Sequence, residues 1–470
     1  MTLYLGIDLG TSNSAVVGND GGQLRLYKTA DGTDVLPSAI YIDRRGHRLY
    51  GKRAYDQTVL APENVAQGFK RLMGTSTPFA FDAAKISMSP EECSAEILRQ
   101  LMGQVGTESS GAAVEGAVVT IPAAFNQMQS EATIRAARLA GLDRVGLLQE
   151  PVAAAMAAMT NVKTKSGVFL IYDLGGGTFD LALVQSTSGA VSILAHEGIN
   201  MLGGRDFDTT IVNQLVRPWL LDTFDLPDNF QADPRWKRLI GIARLKAEQA
   251  KIGLSVAEHE VIFAAEEEIR VQDAIGTPIF LELPLHRHDL DALIRPRIAE
   301  TVQLSRKLLA ANSFKAEDID RIVMIGGPSK MPLVREMVGH ELGIVVDTGV
   351  DPMTAVAAGA AIFAESRDWF AGETRRKSAR GSVSGGGALQ LQADFPARAT
   401  EDRARVRIRP QAVDADSATV EIVAEDGWTS GRQRVDGPIT FELPLPTMGE
   451  HRFTLRAFAG DGRPVPEAGS

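Results

Sequence analysis

Two stretches of the chain combine residue types that could handle a phosphate and a divalent cation. In one, the apolar run Val168-Phe-Leu-Ile-Tyr172 predicts a buried strand, and Asp173 stands at its end. Gly175, Gly176 and Gly177 then make a turn, and Thr178 precedes a second apolar run, Leu181-Ala-Leu-Val184. Glycine amides carry no Cβ to hold an anion off, so such a turn can face a phosphate. In the other, Leu3-Tyr-Leu-Gly-Ile7 leads to Asp8, Leu9, Gly10, Thr11 and Ser12, and Ser14-Ala-Val-Val17 leaves the turn. Taken singly, each also describes an aspartate capping a plain turn. The repeated order of strand, Asp, Leu, Gly and hydroxyl reads as an internal duplication. Asp8 and Asp173 would then face each other across a cleft and hold a hydrated Mg²⁺, an ion that takes few carboxylates and keeps several waters.

Two further glycine pairs belong to this pattern. Gly326 and Gly327 follow the strand-like run Ile322-Val-Met-Ile325, and Gly203 and Gly204 open a helix, where backbone donors and the helix N-terminus favour an anion. The elements that must position these turns alternate between the two periods. Strands with glycine turns fill residues 1–36, Pro37–Ile42 starts another, and Ala117–Ile121 is buried. Helical spacing marks residues 52–60, Ser94–Met102, Gln127–Ala140 with Gly141 as its stop, Phe207–Leu221, 233–255, Asp289–Ala311, Met331–Leu342 and Thr354–Ala364. Residues 146–160 read as a loop followed by an Ala-rich helix, too short to span a bilayer. Residues 258–284 alternate like strands.

The pattern changes beyond residue 370. Residues 371–388 are rich in glycine, serine and arginine and read as a flexible linker. Residues 389–470 alternate with period two, at Arg403–Arg409, Thr419–Ile422, Ile439–Leu443 and Arg452–Ala457, between glycine, proline and aspartate turns. This predicts a small antiparallel β-sandwich, near the size at which independent folding becomes marginal. With 470 residues, 44% hydrophobic and 23% charged, the chain can bury a large core. Its net charge of −10 argues against nucleic acid as a partner. Cys93 is the single cysteine, so no internal disulfide can form and a reducing compartment fits. No signal peptide precedes the first strand, so a cytoplasmic location without a membrane span is expected.

Nine motifs in register resemble the seventy-kilodalton heat-shock (DnaK-type) chaperone family. They are Gly6–Ser12, Phe69-Lys-Arg-Leu-Met-Gly74, Thr120–Asn126, Ala140–Leu142, Gln149-Glu-Pro-Val-Ala-Ala-Ala155, Asp173–Asp180, Leu202–Asp208, Ala250–Ser255 and Ile325–Pro332, spread over about residues 1–365. The resemblance implies an α/β, actin-like ATPase of two ribonuclease H-like lobes, about 1–166 and 167–370, followed by the all-β module. It implies that Lys70, Glu150, Asp173 and Thr178 position the attacking water and the γ-phosphate. Thr11, Ser12 and Asn13 match the first phosphate loop, and Asp8 the second magnesium-side carboxylate. Glu248, Lys251 and Ser255 match an adenosine-binding helix, and Gly326, Gly327 and Lys330 the opposite wall. ATP, ADP and Mg²⁺ are the implied ligands. Unfolded or specific proteins, a J-domain co-chaperone and a nucleotide exchange factor are the implied partners.

The departures bear on output more than on chemistry. Lys330 stands where the family has an arginine stacked on the base, and lysine lacks the planar face. Asn13, Met353, Ala124, Ser130 and Gly146 replace, in turn, a bulkier residue, an acidic residue, a tyrosine, a relay arginine and a J-domain-docking arginine. The family's acidic–leucine linker is replaced by the Gly/Ser/Arg stretch, the usual opening of the peptide-binding sandwich is missing, and no helical lid is expected. Residues 449–462 look more like the last strand of an immunoglobulin-like module. Three readings follow: a chaperone-type ATPase, a nucleotide-gated scaffold whose β module binds a fixed partner, and a sugar-kinase-like phosphotransferase. Lys70 and Gln149-Glu-Pro151 weigh against the third, because they suit attack by water.

Overall fold

The computed structural model describes residues 3–109, 114–160, 166–187, 190–367, 369, 379–384, 389–395, 403–413, 419–424, 427–445 and 453–458. Two compact units divide the chain, Met1–Arg367 and Asp368–Ser470. The first is built on two sheets of matching plan. In one, β1 (Leu3–Asp8) pairs antiparallel with β2 (Asn13–Asp20), and β2 with β3 (Gln23–Leu26). On its other side β1 lies parallel to β4 (Val114–Ile121), and β4 parallel to β5 (Val145–Gln149). In the other sheet, β6 (Gly167–Leu174) pairs antiparallel with β7 (Thr178–Thr187), β7 with β8 (Ala190–Asn200), and β6 runs parallel to β9 (Arg321–Ile325). The spatial orders are β5-β4-β1-β2-β3 and β8-β7-β6-β9. Thus β1 and β6 hold the same place, each with a hairpin on one side and a parallel strand on the other. Asp8 and Asp173 end these two strands, in register with Ala15 and Asp180 of the partner strands.

The helices form where apolar stripes and caps coincide. Helix α1 (Pro90–Glu108) starts at a capping box: Ser89 Oγ accepts from the Glu92 amide, and the Glu92 carboxylate accepts from the Ser89 amide. Cys93, Ile97, Leu98 and Leu101 are buried on its inner face. Helix α2 (Gln127–Leu139) has an Asn126–Gln129 box and stops before Gly141, whose φ is +90°. Helix α3 (Glu150–Met159) buries nearly its whole alanine surface. Helices α4 (Gly204–Ile211) and α5 (Arg217–Thr223) flank a π-helical segment, Val212–Val216, so the single helix expected over Phe207–Leu221 is three pieces. Helix α6 (Lys237–Gly253) is shorter at both ends than expected, and α7 (Arg287–Ala311) tolerates Pro296 inside it. Helices α8 (Pro332–Leu342) and α9 (Ala355–Ser366) complete the unit.

Small residues let α9 lie against both β1 and α3. A Cβ on Gly6 would fall 2.1 Å from the Ala357 carbonyl oxygen, and one on Gly359 only 1.7 Å from that of Ala153. Backbone therefore touches backbone at both points, which only glycine permits. Two large apolar clusters fill the unit. One centres on Leu170, Tyr172 and Phe179 with α4, α6 and α7, the other on Leu5, Ile7 and Phe69 with α1.

Two expectations need correction. Residues 145–149, placed largely in a loop, form β5: its ladder comes from a parallel neighbour distant in sequence, which a five-residue run does not announce. Within the expected linker, Ala379–Ser384 is a strand paired with Leu389–Phe395, so the flexible reading fails for those six residues. Most of 371–388 otherwise lies outside the described residues.

The second unit has a four-stranded sheet, in the order Ala379–Ser384, Leu389–Phe395, Arg403–Val413 and Ile439–Pro444. A three-stranded sheet places Thr419–Ala424 between Gln433–Arg434 and Phe453–Phe458. Alternate residues Val406, Ile408, Val420, Ile422, Phe441, Leu443, Leu455 and Ala457 form one buried cluster drawn from both sheets. Among the described residues no helix is long and apolar enough to cross a membrane.

Candidate functional site

The ends of β1 and β6 meet around one buried lysine. Lys70 lies in the single turn Phe69–Leu72, anchored by the fully buried Phe69, and is itself 4% exposed. Its Nζ donates to Glu150, the first residue of α3, in a closely approached ion pair. Burial acts to lower the Lys70 pKa, but Glu150, Asp8 and Asp173 outweigh it, and the net shift is upward. Lys70 is therefore firmly charged at neutral pH.

The carboxylates around it are held differently. Asp8 accepts from Thr120 Oγ1 at 3.1 Å; burial pushes its pKa up to about 6 despite the pull of Lys70, and Glu150 adds to the rise. Asp173 is raised well above the ordinary range, by burial first and then by Glu150, Asp180 and Asp8. Asp180, its cross-strand partner, is raised by burial and Glu150, while a Thr178 hydrogen bond pulls it down. Four carboxyl groups and one ammonium thus act on one another, Asp180 from an exposed position, a surplus of negative charge that a divalent cation would relieve. Behind Glu150, Asp173 and Asp180 opens a cavity of about 330 Å³, walled also by Pro122, Ala124 and His196.

The glycine turns converge on the same point. A Cβ on Gly176 would lie 2.3 Å from Ser12 Oγ, so the two duplicated turns touch each other across the cleft. The first turn is braced from below. Ser14 Oγ accepts from the Gly10 amide at 3.1 Å, and Ser38 Oγ donates to the Gly10 carbonyl at 2.8 Å. The second turn is stitched to the start of α4, where the Gly204 and Arg205 amides donate to the carbonyls of Gly175 and Gly176. A Cβ on Gly203 would strike the Gly177 nitrogen at 2.5 Å, and one on Gly177 the Arg71 guanidinium at 2.5 Å. Gly326, at φ +84°, passes so near β6 that a Cβ would sit 2.1 Å from the Leu174 carbonyl oxygen. Asn13 begins β2 just beyond the first turn, and Thr11 lies within that turn.

Residues 248–255 and 326–330 lie on two sides of Gly204. A Cβ there would be 3.2 Å from both Lys251 Nζ and Pro328 Cγ. Lys251 is buried, with an ion pair to Asp208 at 2.6 Å and a hydrogen bond to the Gly204 carbonyl at 2.9 Å. Burial raises Asp208 to about 6, with Lys251 opposing. Glu248 accepts from the Tyr55 hydroxyl at 2.5 Å, a bond between residues 193 apart that ties the helix of Gly51–Asp56 to α6. Ser255 lies in the turn after α6 and is half-buried. Lys330 pairs with Asp351 at 2.8 Å, and Gly327 lies against the Met353 sulfur.

All the residues named from the sequence thus fall in one region of the first unit: Asp8, Lys70, Glu150 and Asp173 at its centre, the glycine turns around them, and 248–255 and 326–330 at the rim. Four neighbours were given no role from the sequence. Asp180 closes the motif that begins at Asp173 and alternation along β7 was its signal; Asp208 closes the Gly203-Gly204 motif in the same way. Arg71 stands beside Lys70 in the Phe69–Gly74 motif, whereas Tyr55 had no signal, because its position depends on packing between distant segments.

Comparison with known proteins gives one answer. A family model described as Hsp70 protein matches residues 4–368. Among curated relatives, the chaperone protein DnaK of Elusimicrobium minutum is 34% identical over 371 residues, covering 77% of this chain and 57% of that protein. The chaperone protein HscA of Pectobacterium atrosepticum is 36% identical over 383 residues, 77% of this chain and 58% of that protein. HscA of Pectobacterium carotovorum is 35% identical over the same length. The chain therefore spans a little under three fifths of the length of these relatives, and the stretch matched by the family model, residues 4–368, coincides with the unit that holds the site. On the strength of these matches, the chain belongs to the Hsp70 family.

Proposed function

We propose that the first unit is an actin-like ATPase that binds ATP with Mg²⁺, hydrolyses it slowly, and couples nucleotide state to protein binding as a chaperone does. The observation that carries this is the buried Lys70–Glu150 ion pair, set between Asp8 and Asp173 and beneath two touching glycine turns. In this reading the amides of Gly10–Asn13 and Gly175–Gly177 cradle the phosphates. Lys70 offsets charge that develops on the γ-phosphoryl oxygens, Glu150 orients the attacking water, and Thr178 bonds a phosphate oxygen. Phosphoryl transfer asks mainly for such positioning and charge stabilisation. The carboxylate surplus suits Mg²⁺; Asp8 and Asp173 would hold it through its waters, and it would neutralise β- and γ-phosphate charge. Glu248, Lys251 and Ser255 on one side, and Gly326, Gly327 and Lys330 on the other, flank the nucleoside.

The test is ATP turnover by the purified chain with Mg²⁺. Slow hydrolysis that falls on Lys70→Ala or Thr178→Ala supports the assignment, and equal rates in the variants would overturn it. The second unit is, in the same proposal, an immunoglobulin-like β-sandwich occupying about residues 389–470, in a cytoplasmic protein. A scaffold role, with this module holding a fixed partner, is favoured by one observation. Ala379–Ser384, in the stretch that follows the ATPase unit, is paired into the module's sheet rather than set apart as a linker. Unfolded peptide should then stimulate turnover little, and strong stimulation that disappears on deleting residues 389–470 would favour the client-binding reading.

A further inference from the structure

The turn Phe69–Leu72 carries two adjacent cations that are held in opposite ways. Lys70 is buried and paired with Glu150. Arg71 is exposed, and among the described residues its side chain has neither an ion pair nor a hydrogen bond. Yet its guanidinium does not stand free in solvent; it lies against the second glycine turn. The three atoms nearest to a Cβ built on Gly177 all belong to it: Nη2 at 2.5 Å, Cζ at 3.5 Å and Nη1 at 3.9 Å. Gly177 does not adopt a positive φ, so its backbone does not itself call for glycine. What the missing Cβ admits is the guanidinium. The neighbouring Gly176 meets Ser12 of the first turn, so Arg71 reaches the point where the two turns touch. The charges that chiefly shift Asp8, Asp173 and Asp180 include Lys70 but not Arg71, so the two cations serve different sides of the cleft.

We infer that Arg71 is a phosphate-binding residue: laid over the bare face of Gly177, its guanidinium pairs with oxygens of the phosphate that the second glycine turn holds. This rests on the nucleotide reading above and adds to it a second cation, one that acts in binding. A guanidinium presents a planar fork of donors that matches phosphate oxygens two at a time, and it gives up water more readily than an ammonium does. The amides of the turn lie beside it, so a phosphate seated there meets both kinds of donor. With no carboxylate holding Arg71, an incoming anion has no ion pair to displace. The exposure of Arg71 limits the gain, because a charge-assisted bond open to water is worth far less than a buried one. Arginine at 71 and glycine at 177 are thus a matched pair, each acting through the other.

The experiment measures affinity of the full chain for Mg·ATP and for adenosine by titration calorimetry. It compares the natural sequence with Arg71→Ala, Arg71→Lys, Gly177→Ala and the double variant Arg71→Ala, Gly177→Ala. Arg71 is exposed and unpaired, and the nearest obstacle to a Cβ at 177 is the end of a flexible side chain, so all four variants should fold. Arg71→Ala should weaken Mg·ATP about tenfold and leave adenosine unchanged. Arg71→Lys, which keeps the charge without the fork, should cost about threefold. Gly177→Ala pushes the guanidinium off the turn, so it should cost more in the natural sequence than in the Arg71→Ala background. A Mg·ATP affinity that Arg71→Ala changes by less than about threefold overturns the inference, as does a Gly177→Ala loss of equal size in both backgrounds. Equal weakening of ATP and adenosine would overturn it too, by making the role of Arg71 structural. If the natural chain does not bind Mg·ATP, the nucleotide reading itself fails and the inference with it, an outcome distinct from tight ATP binding that Arg71→Ala leaves alone.

Discussion

The two sheets of the first unit share a plan and differ in charge. Each has a central strand ending in aspartate, a hairpin on one side and a parallel strand on the other. Around β1 the aspartate has help: Asp8 accepts from Thr120 and lies near Lys70. Around β6 it has competition, since Asp173 faces Asp180 across the ladder and feels Glu150 as well. In place of Asp180, the position beside Asp8 is Ala15. The duplicated backbone thus sets two equivalent anchor points, but the side chains beside them differ: the first half brings the one ammonium, Lys70, together with Asp8 and Glu150, while the second brings only the carboxylates Asp173 and Asp180.

Removing the cation of the first half should have the largest effect. Lys70→Ala should lower ATP turnover by about a hundredfold or more, measured under single-turnover conditions. A loss of less than threefold would mean that the charge asymmetry does not serve catalysis. Thr178→Ala, at the entry to β7, should cost about tenfold, while Thr11→Ala on the opposite turn should cost less; the reverse ranking would move the reacting phosphate toward the first half. Tyr55→Phe deletes the hydroxyl that reaches Glu248 on α6 and should speed nucleotide dissociation about fivefold with little change in melting temperature. Stopped-flow release of a fluorescent nucleotide would show it, and an unchanged off-rate would demote that bond to packing.

The smallest effect concerns pH. Asp8 and Asp173 both have folded pKa values raised above 3.8, Asp8 to about 6. Such groups contribute stability that is fully present below the unfolded value and is lost as pH rises through the folded one. The ligand-free chain should therefore gain stability from these sites between about pH 7 and about pH 5, and Asp8→Asn should flatten that gain. Calorimetric melts of both proteins at the two pH values test it; parallel curves would remove the electrostatic contrast between the halves.

The centre of the site was legible because its signals are local. An apolar run, an aspartate and a glycine turn occupy about ten residues, and their repetition marked both halves. The cap residues of α1 and α2 and the period-two strands of the second unit are local in the same sense. What escaped depends on neighbours far away in sequence. Residues 145–149 are a strand only because β4 lies beside them. The π-helical segment Val212–Val216 interrupts a continuous apolar stripe without any glycine or proline inside it. Lys70 carries no mark of burial in its own segment; Glu150, 80 residues later, is what makes burial of the ammonium tolerable. The contact of Tyr55 with Glu248 at the rim is of this kind too, which is why Tyr55 emerges only from packing.

The crossing of α3 and α9 bears on how any map of mutational tolerance should be read. At Gly359 a single added carbon would overlap the Ala153 carbonyl oxygen, at 1.7 Å. In a saturation library selected for function, position 359 should be depleted in every substitution, as completely as position 70, although it carries no chemistry. Scoring the same library for soluble, folded protein separates the two: variants at 359 vanish from both screens, whereas variants at 70 that keep the fold vanish from one.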